Sequence, residues 1–242
     1  MGRLIVLSGP SCAGKGPLHT ALKRFYPELA SDLRMVVLYN SREPRPAEED
    51  GIDYHFRPRT EIEALRGRDG FVVMDVRGDL QALDLNDLRE TLKAHDAFFE
   101  GNPFVGGELL KVEDVGLVSA FLAPLSKEEI LYLKAPQRKV DLQAFVTDVM
   151  RRKLLRRTQK QKGILSLKEL QNIEKRCGSA YRELQDAWRF DHVIPNHDGE
   201  DSENWNAFYY PVADARKALM AFAALLRGET PEWAEKWDEG MV

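Results

Sequence analysis

The sequence predicts an α/β protein built on a parallel sheet, on three observations. Arg3 to Ser8 carries an unbroken apolar run, Leu4 to Leu7, that stops at Gly9-Pro10 and is followed by a helical pattern from about Gly14. Further apolar patches then alternate with helical stretches, the arrangement that makes a parallel sheet covered by helices. Between residues 150 and 188 a strongly basic stretch leads into a capped amphipathic segment, which reads as a helical hairpin.

The elements follow in chain order. After the first strand, glycine loop and helix, Met35 to Tyr39 reads as a second buried strand. Ser41 to Phe56, rich in Pro, Arg, Glu and Asp, reads as an excursion over the surface. From about Thr60 to Leu92 helical stretches surround one apolar patch, Phe71 to Val76, and Ala97 to Phe99 is a short candidate strand. Leu117 to Leu122 is a stronger one, followed by Pro124-Leu125-Ser126 and the acids of a helix start. Ser166 and Glu169 form a capping-box pattern, Phe190 to Pro195 reads as the last core strand, and Val212 to Leu226 as an amphipathic helix covering the sheet. The tail from Gly228 reads as peripheral.

At 242 residues the chain can bury one sizeable core, read here as one core with insertions. Apolar residues at 43% and charged residues at 31% are ordinary for a chain that folds throughout. A formal charge of -4 argues against general nucleic-acid binding, which relies on an overall basic surface. Cys12 and Cys177 are far apart and have no metal spacing, and the apolar run after Met1 is too short for a signal peptide or a membrane span. The expectations are a reducing cytoplasm, no nucleic acid and no membrane.

Gly9-Pro10-Ser11-Cys12-Ala13-Gly14-Lys15 satisfies GxxxxGK between a strand and a helix, the context that a phosphate-binding loop requires. The glycines let backbone N–H groups converge on phosphate oxygens, the helix N-terminus adds positive potential, and Lys15 neutralises the β and γ oxygens. ATP with magnesium is the implied ligand. Gly9, Ser11, Cys12, Ala13, Gly14, Lys15, Gly16 and Pro17 are the ATP-binding candidates. Gly16 stands where Ser or Thr usually ligates magnesium, so the loop gives the metal no direct ligand and another carboxylate, water or the nucleotide must hold it.

Ser41-Arg42-Glu43-Pro44-Arg45-Pro46, then Glu48, Asp50-Gly51 and Asp53-Tyr54-His55-Phe56, closely resembles the acceptor-binding signature of guanylate kinases. The later chain is similar too: Pro124-Leu125-Ser126 opens a helix, Ile173 to Leu184 matches the lid helix with Arg176, and Phe190 to Asn196 resembles the closing strand. The resemblance implies a three-layer P-loop NTPase with a parallel sheet, an inserted acceptor-binding domain and a helical lid. The expected boundaries are 1–39, 93–149 and 181–242 for the core, 40–92 for the acceptor domain and 150–180 for the lid. It further implies that Arg42, Arg45 and Tyr54 grip the acceptor phosphate, that Arg176 reaches over the transferring group, and that Asn196 lies near adenine. From the basic run Arg152, Arg156 and Arg157 are candidates to close on ATP phosphates, Arg152 and Arg156 being carried as catalytic with Lys15 and Arg176.

The base-reading segment departs from the pattern. Where guanylate kinases carry a guanine-recognising Glu, Gly70-Phe71-Val72 leads to Val73, and Gly78-Asp79-Leu80-Gln81 replaces a tyrosine pair. Asp75, Asp79 or Gln81 are the candidate substitutes. Glu100, at a strand end, is a candidate for the acceptor or the metal, with Asn102 beside it. The expected activity is ATP-dependent phosphorylation of a nucleoside monophosphate, GMP or a related purine nucleotide, with a phosphorylated sugar or a catalytically weak binding module as alternatives. ATP and a small phosphorylated acceptor are the expected partners, and a homodimer is compatible with the sequence.

Overall fold

The computed structural model describes residues 2–45 and 48–242; Met1, Pro46 and Ala47 lie outside the described residues, so the end of the Ser41 to Pro46 motif does as well. The first half runs β1 (Arg3–Ser8), α1 (Lys15–Phe25), α2 (Pro27–Ala30), β2 (Leu33–Met35), β3 (Leu38–Asn40), β4 (Tyr54–Phe56), α3 (Arg59–Glu63), β5 (Phe71–Val76), β6 (Asp79–Asp84), α4 (Leu85–Thr91) and β7 (Asp96–Gly101). The second half runs α5 (Pro103–Leu109), β8 (Gly116–Ala123), α6 (Lys127–Lys134), α7 (Leu142–Lys162), α8 (Leu167–Gln185), β9 (His192–Pro195) and α9 (Ala213–Arg227).

The central sheet has the order β2-β7-β1-β8-β9, and its ladders are all parallel. Because successive side chains on a strand point to opposite faces, β1 feeds both layers. Ile5 and Leu7 pack with Leu18 and Leu22 of α1 and Phe222 of α9, whereas Leu4 and Val6 pack with Val105 of α5 and Leu154 of α7. A strand buried on both sides reads as a continuous apolar run, which is why β1 is so plain in the sequence.

A second, four-stranded sheet, β4-β3-β6-β5, is mixed, with antiparallel pairs β3·β6 and β5·β6. It corrects the single strand expected over Met35 to Tyr39. The chain leaves β2 at Met35 and enters the other sheet at Leu38, so the run contributes to two sheets. β6 had no sequence expectation of its own.

Ser166 accepts from the Glu169 amide at 3.3 Å while Glu169 accepts from the Ser166 amide at 2.7 Å, so the predicted capping box forms. Its partner helix α7 begins at Leu142, ahead of the basic run. The tail is not peripheral. Val193 and Glu235 exchange backbone hydrogen bonds of 2.8 and 2.7 Å, covering the open edge of β9, and Trp237 is buried at 2% exposure.

Candidate active site

The glycine loop joins the C-terminal end of β1 to α1, at the edge of a parallel sheet where α/β proteins place their ligands. Gly14 caps α1 at φ 101°, and a Cβ there would lie 2.6 Å from both Asn196 Nδ2 and the Asp198 carbonyl, so only glycine fits. Lys15 is buried, its Nζ donating to the carbonyls of Gly9 and Pro10 at 2.8 Å each. Burial depresses its pKa, opposed first by the Glu200 carboxylate and then by Glu100.

Facing this loop across a cleft of 230 Å³ are Arg42, Arg45, Tyr54 and Gln81, contributed by the β3–β4 connection and the small sheet. Arg42 makes a fork to Glu48, 2.6 and 2.7 Å, and its guanidinium lies 5.1 Å from the centre of the Tyr54 ring. Burial raises the Tyr54 pKa and lowers that of Arg45, the latter assisted by the Arg42 charge. From the α7–α8 hairpin, Arg176 of α8 donates its Nε to Ser11 Oγ at 2.9 Å. Its pKa is brought down to about 9, by burial first and then by the charges of Arg157, Arg45 and Arg77. Burial and neighbouring guanidinium charges lower the pKa of both Arg45 and Arg176 beside a glycine loop, an arrangement that suits a polyanion.

The guanylate kinase family model matches residues 1–76, the stretch that holds the loop, Arg42, Arg45 and Tyr54. A guanylate kinase from Rickettsia bellii is 27% identical over 206 residues, 83% of this chain and 89% of its own length. One from a Synechococcus strain is 26% identical over 212 residues, 87% and 83% respectively. Over most of its length the chain is similar to guanylate kinases. The crystal structure of guanylate kinase from Anaplasma phagocytophilum shares the fold, with TM-score 0.55 at 17% identity, over 94% of this chain and 85% of the other.

Against the guanylate kinase pattern, the predicted residues separate. Gly9, Ser11, Cys12, Lys15, Arg42, Arg45, Tyr54, Gln81, Asp79, Asn102 and Arg176 line one cleft. Ala13 is fully buried beneath the loop, and Gly16 and Pro17 form the first turn of α1. Glu100, at the end of β7, stands just outside the cleft lining: its Oε1 is 3.6 Å from where a Cβ on Gly16 would be, and its Oε2 is 3.3 Å from His19 Nδ1. The carboxylate thus neighbours the position of the absent Ser or Thr.

Four candidates are placed differently from expectation. Arg152 pairs with Asp148 at 3.1 Å and Arg156 with Asp201 at 3.5 Å, both away from the cleft. The helical period explains this: Lys153 and Arg157, one turn apart on α7, take the inward face that Arg152 and Arg156 miss. Asp75 is exposed and accepts from the Gly78 amide at 2.7 Å, closing the β5–β6 turn instead of meeting an acceptor. Asn196 is fully buried and spends its amide on the Ala13 and Asp198 carbonyls, 2.8 and 2.7 Å, while accepting from the Asp198 amide. It braces the loop from below and has no free donor for adenine.

Other cleft residues had no sequence expectation. Lys175 projects from α8 one position before Arg176, and Arg77 lines the cleft while bonding the fully buried carboxylate of Glu183. Glu200 reaches the loop from the segment after β9. A charged residue in a polar connector carries no periodic signal, so Glu200 is not separable from solvated charges by sequence.

Proposed function

We propose that the protein is an ATP-dependent phosphotransferase that moves the terminal phosphate of ATP onto the phosphate of a purine nucleoside monophosphate, GMP or a close relative. The observation that carries this reading is one cleft bearing a glycine loop with Lys15 on one wall and Arg42, Arg45 and Tyr54 on the other. The loop amides and Lys15 bind the triphosphate, and the positive charge of Arg42, steadied by Glu48, acts with Arg45 and the Tyr54 hydroxyl to grip the acceptor phosphate. Arg176, whose hydrogen bond to Ser11 holds it beside the loop, would offset charge that develops on the transferring group. Positioning two phosphates in line supplies most of the catalysis this chemistry needs, and the closed lid excludes the water that would otherwise hydrolyse ATP.

Magnesium fits this site as a nucleotide-borne ion. Among the described residues no group of three His, Cys, Asp or Glu is arranged to hold a metal, and magnesium characteristically keeps its waters and one or two carboxylates beside phosphate oxygens. Glu100 is the carboxylate placed to meet it, with His19 steadying its other oxygen. When bound, the ion neutralises phosphate charge.

A second reading, a phosphorylated sugar as acceptor, is favoured by one observation. Val73, at the family's base-reading position, packs onto Ile62, Leu80 and Ala82, away from the Gln81 side of the sheet. On the cleft side, Asn40 and Gln81 are cross-strand partners, and Asn40 Nδ2 and Gln81 Oε1 are buried without a hydrogen-bond partner. Buried polar atoms of this kind are normally satisfied, so this amide pair is the candidate reader of the acceptor, base or sugar. The intact loop and Lys15 speak against a pure binding module.

The test is ADP release from ATP and magnesium with a panel of nucleoside monophosphates and phosphorylated sugars. Stimulation by a purine monophosphate supports the first reading, stimulation by sugar phosphates alone supports the second, and no stimulation by any acceptor removes the enzyme reading.

A further inference from the structure

The anion nest of the glycine loop already has an occupant from within the chain. Glu200 Oε2 accepts from the Gly14 backbone N–H at 3.2 Å, and its carboxylate shares the cleft with Ser11, Lys15 and Arg176. The segment that delivers it is built, not draped. Asp198, buried at 8% exposure, accepts from Ser202 Oγ, Asn204 Nδ2 and the Ala215 amide at 2.8, 2.9 and 3.0 Å. Trp205 Nε1 donates to the Asp198 and Gly199 carbonyls, 2.9 and 3.1 Å. Gly199 lies so close to the loop that a Cβ there would be 2.2 Å from the Cys12 carbonyl. The same segment is gripped by the lid: Lys153 of α7 donates to the His197 carbonyl and Lys160 to that of Asp201 at 3.0 Å.

We propose that Glu200 is an internal stand-in for nucleotide phosphate, which holds the glycine loop closed until a polyphosphate displaces it. The inference rests on the reading of this loop as the ATP site. A buried lysine and crowded arginines with no counter-anion are costly, and a carboxylate placed among them offsets that cost while the nucleotide is absent. A carboxylate and a phosphate oxygen cannot take the same Gly14 N–H, so ATP binds only the fraction of molecules in which Glu200 has swung away. The apparent dissociation constant is raised by that fraction. Charge-assisted hydrogen bonds of this type shift an equilibrium by about tenfold or more.

The test is calorimetric binding of ATP, and separately of inorganic tripolyphosphate, with EDTA present, to the wild-type chain and to Glu200→Gln and Glu200→Ala. Thermal unfolding of each variant verifies that it folds. The proposal predicts that both variants bind both probes about tenfold more tightly than wild type. Tripolyphosphate isolates the nest from any contact to the base. Equal affinity in wild type and variants overturns the plug and leaves the ATP site standing. Weaker binding in the variants also overturns it, making Glu200 a supporting residue. Absence of binding by every form removes both the plug and the ATP site.

Discussion

At the scale of single residues, the cleft has a loop wall with Lys15 and a facing wall with Arg42, Arg45 and Tyr54, and on the proposed function substitutions in the two walls should affect ATP and the acceptor separately. Arg42 spends its fork on Glu48 and faces Tyr54, on the wall opposite Lys15. Arg42→Ala removes this positive charge from the acceptor wall and leaves Glu48 without its partner, so it should weaken the acceptor by roughly 10- to 100-fold, the worth of a charged hydrogen-bond partner, with ATP affinity nearly unchanged. Calorimetry with each ligand checks this, and equal losses would count against the assignment. Gly16 admits a different test, since among the described residues beyond its own helix a Cβ there would meet Glu100 Oε1 at 3.6 Å, an ordinary contact distance. Gly16→Ser should fit and lower the magnesium concentration needed for half-maximal activity, whereas Gly16→Ala, which adds carbon without a donor oxygen, should not. That the loop, Arg42, Arg45, Tyr54 and Arg176 would share one cleft was legible because each sits in a matched motif with fixed spacing. Arg152 and Arg156 were misplaced because a run of basic residues does not disclose which face of a helix is inward. Asn196 was misread because a buried amide braces a loop as readily as it reads a base.

At the scale of elements, the segment from β9 to α9 joins the sheet, the lid and the loop. His197 lies at its start, with Nδ1 2.6 Å from Asp214 at the head of α9 and Nε2 2.9 Å from Glu129 in the first turn of α6. Burial lowers its pKa, but the hydrogen bond to Asp214 and the Glu129 charge outweigh that, so it rises above the ordinary 6.5. A raised folded-state pKa means that the stabilisation is complete below the unfolded value and is lost as pH rises through the folded one. His197→Ala should thus lower the melting temperature more at pH 5.5 than at pH 9, and a gap that does not shrink with rising pH would refute the ion pairs. Strands buried on both faces, the helix start at Ser126 and the capping box at Ser166 were readable in the sequence, because apolar runs and cap spacing are local. The division of residues 33 to 40 between two sheets was not, because a change of sheet within one apolar run leaves no periodic mark.

At the scale of the whole molecule, the parallel sheet presents the loop, the β3–β4 connection and the small sheet present Arg42, Arg45 and Tyr54, and α8 contributes Lys175 and Arg176 to the same cleft. The α/β class followed from the alternation of strands and helices. The tail did not, since its value is tertiary: Glu235 pairs with the edge of β9 and Trp237 fills the core below. Ligand binding should stabilise this closed arrangement by mass action, about 2.7 kcal/mol at a hundredfold excess over the dissociation constant, observable as a rise in melting temperature with ATP. The central claim is that a phosphate travels between two facing anion pockets and lands on another phosphate. Phosphorus NMR of the protein with ATP, magnesium and the acceptor that best stimulates ADP release tests it directly. The account predicts a new phosphoanhydride signal on the acceptor, appearing one for one with ADP. Phosphate released only to water, or ester formation at an acceptor hydroxyl, would contradict it.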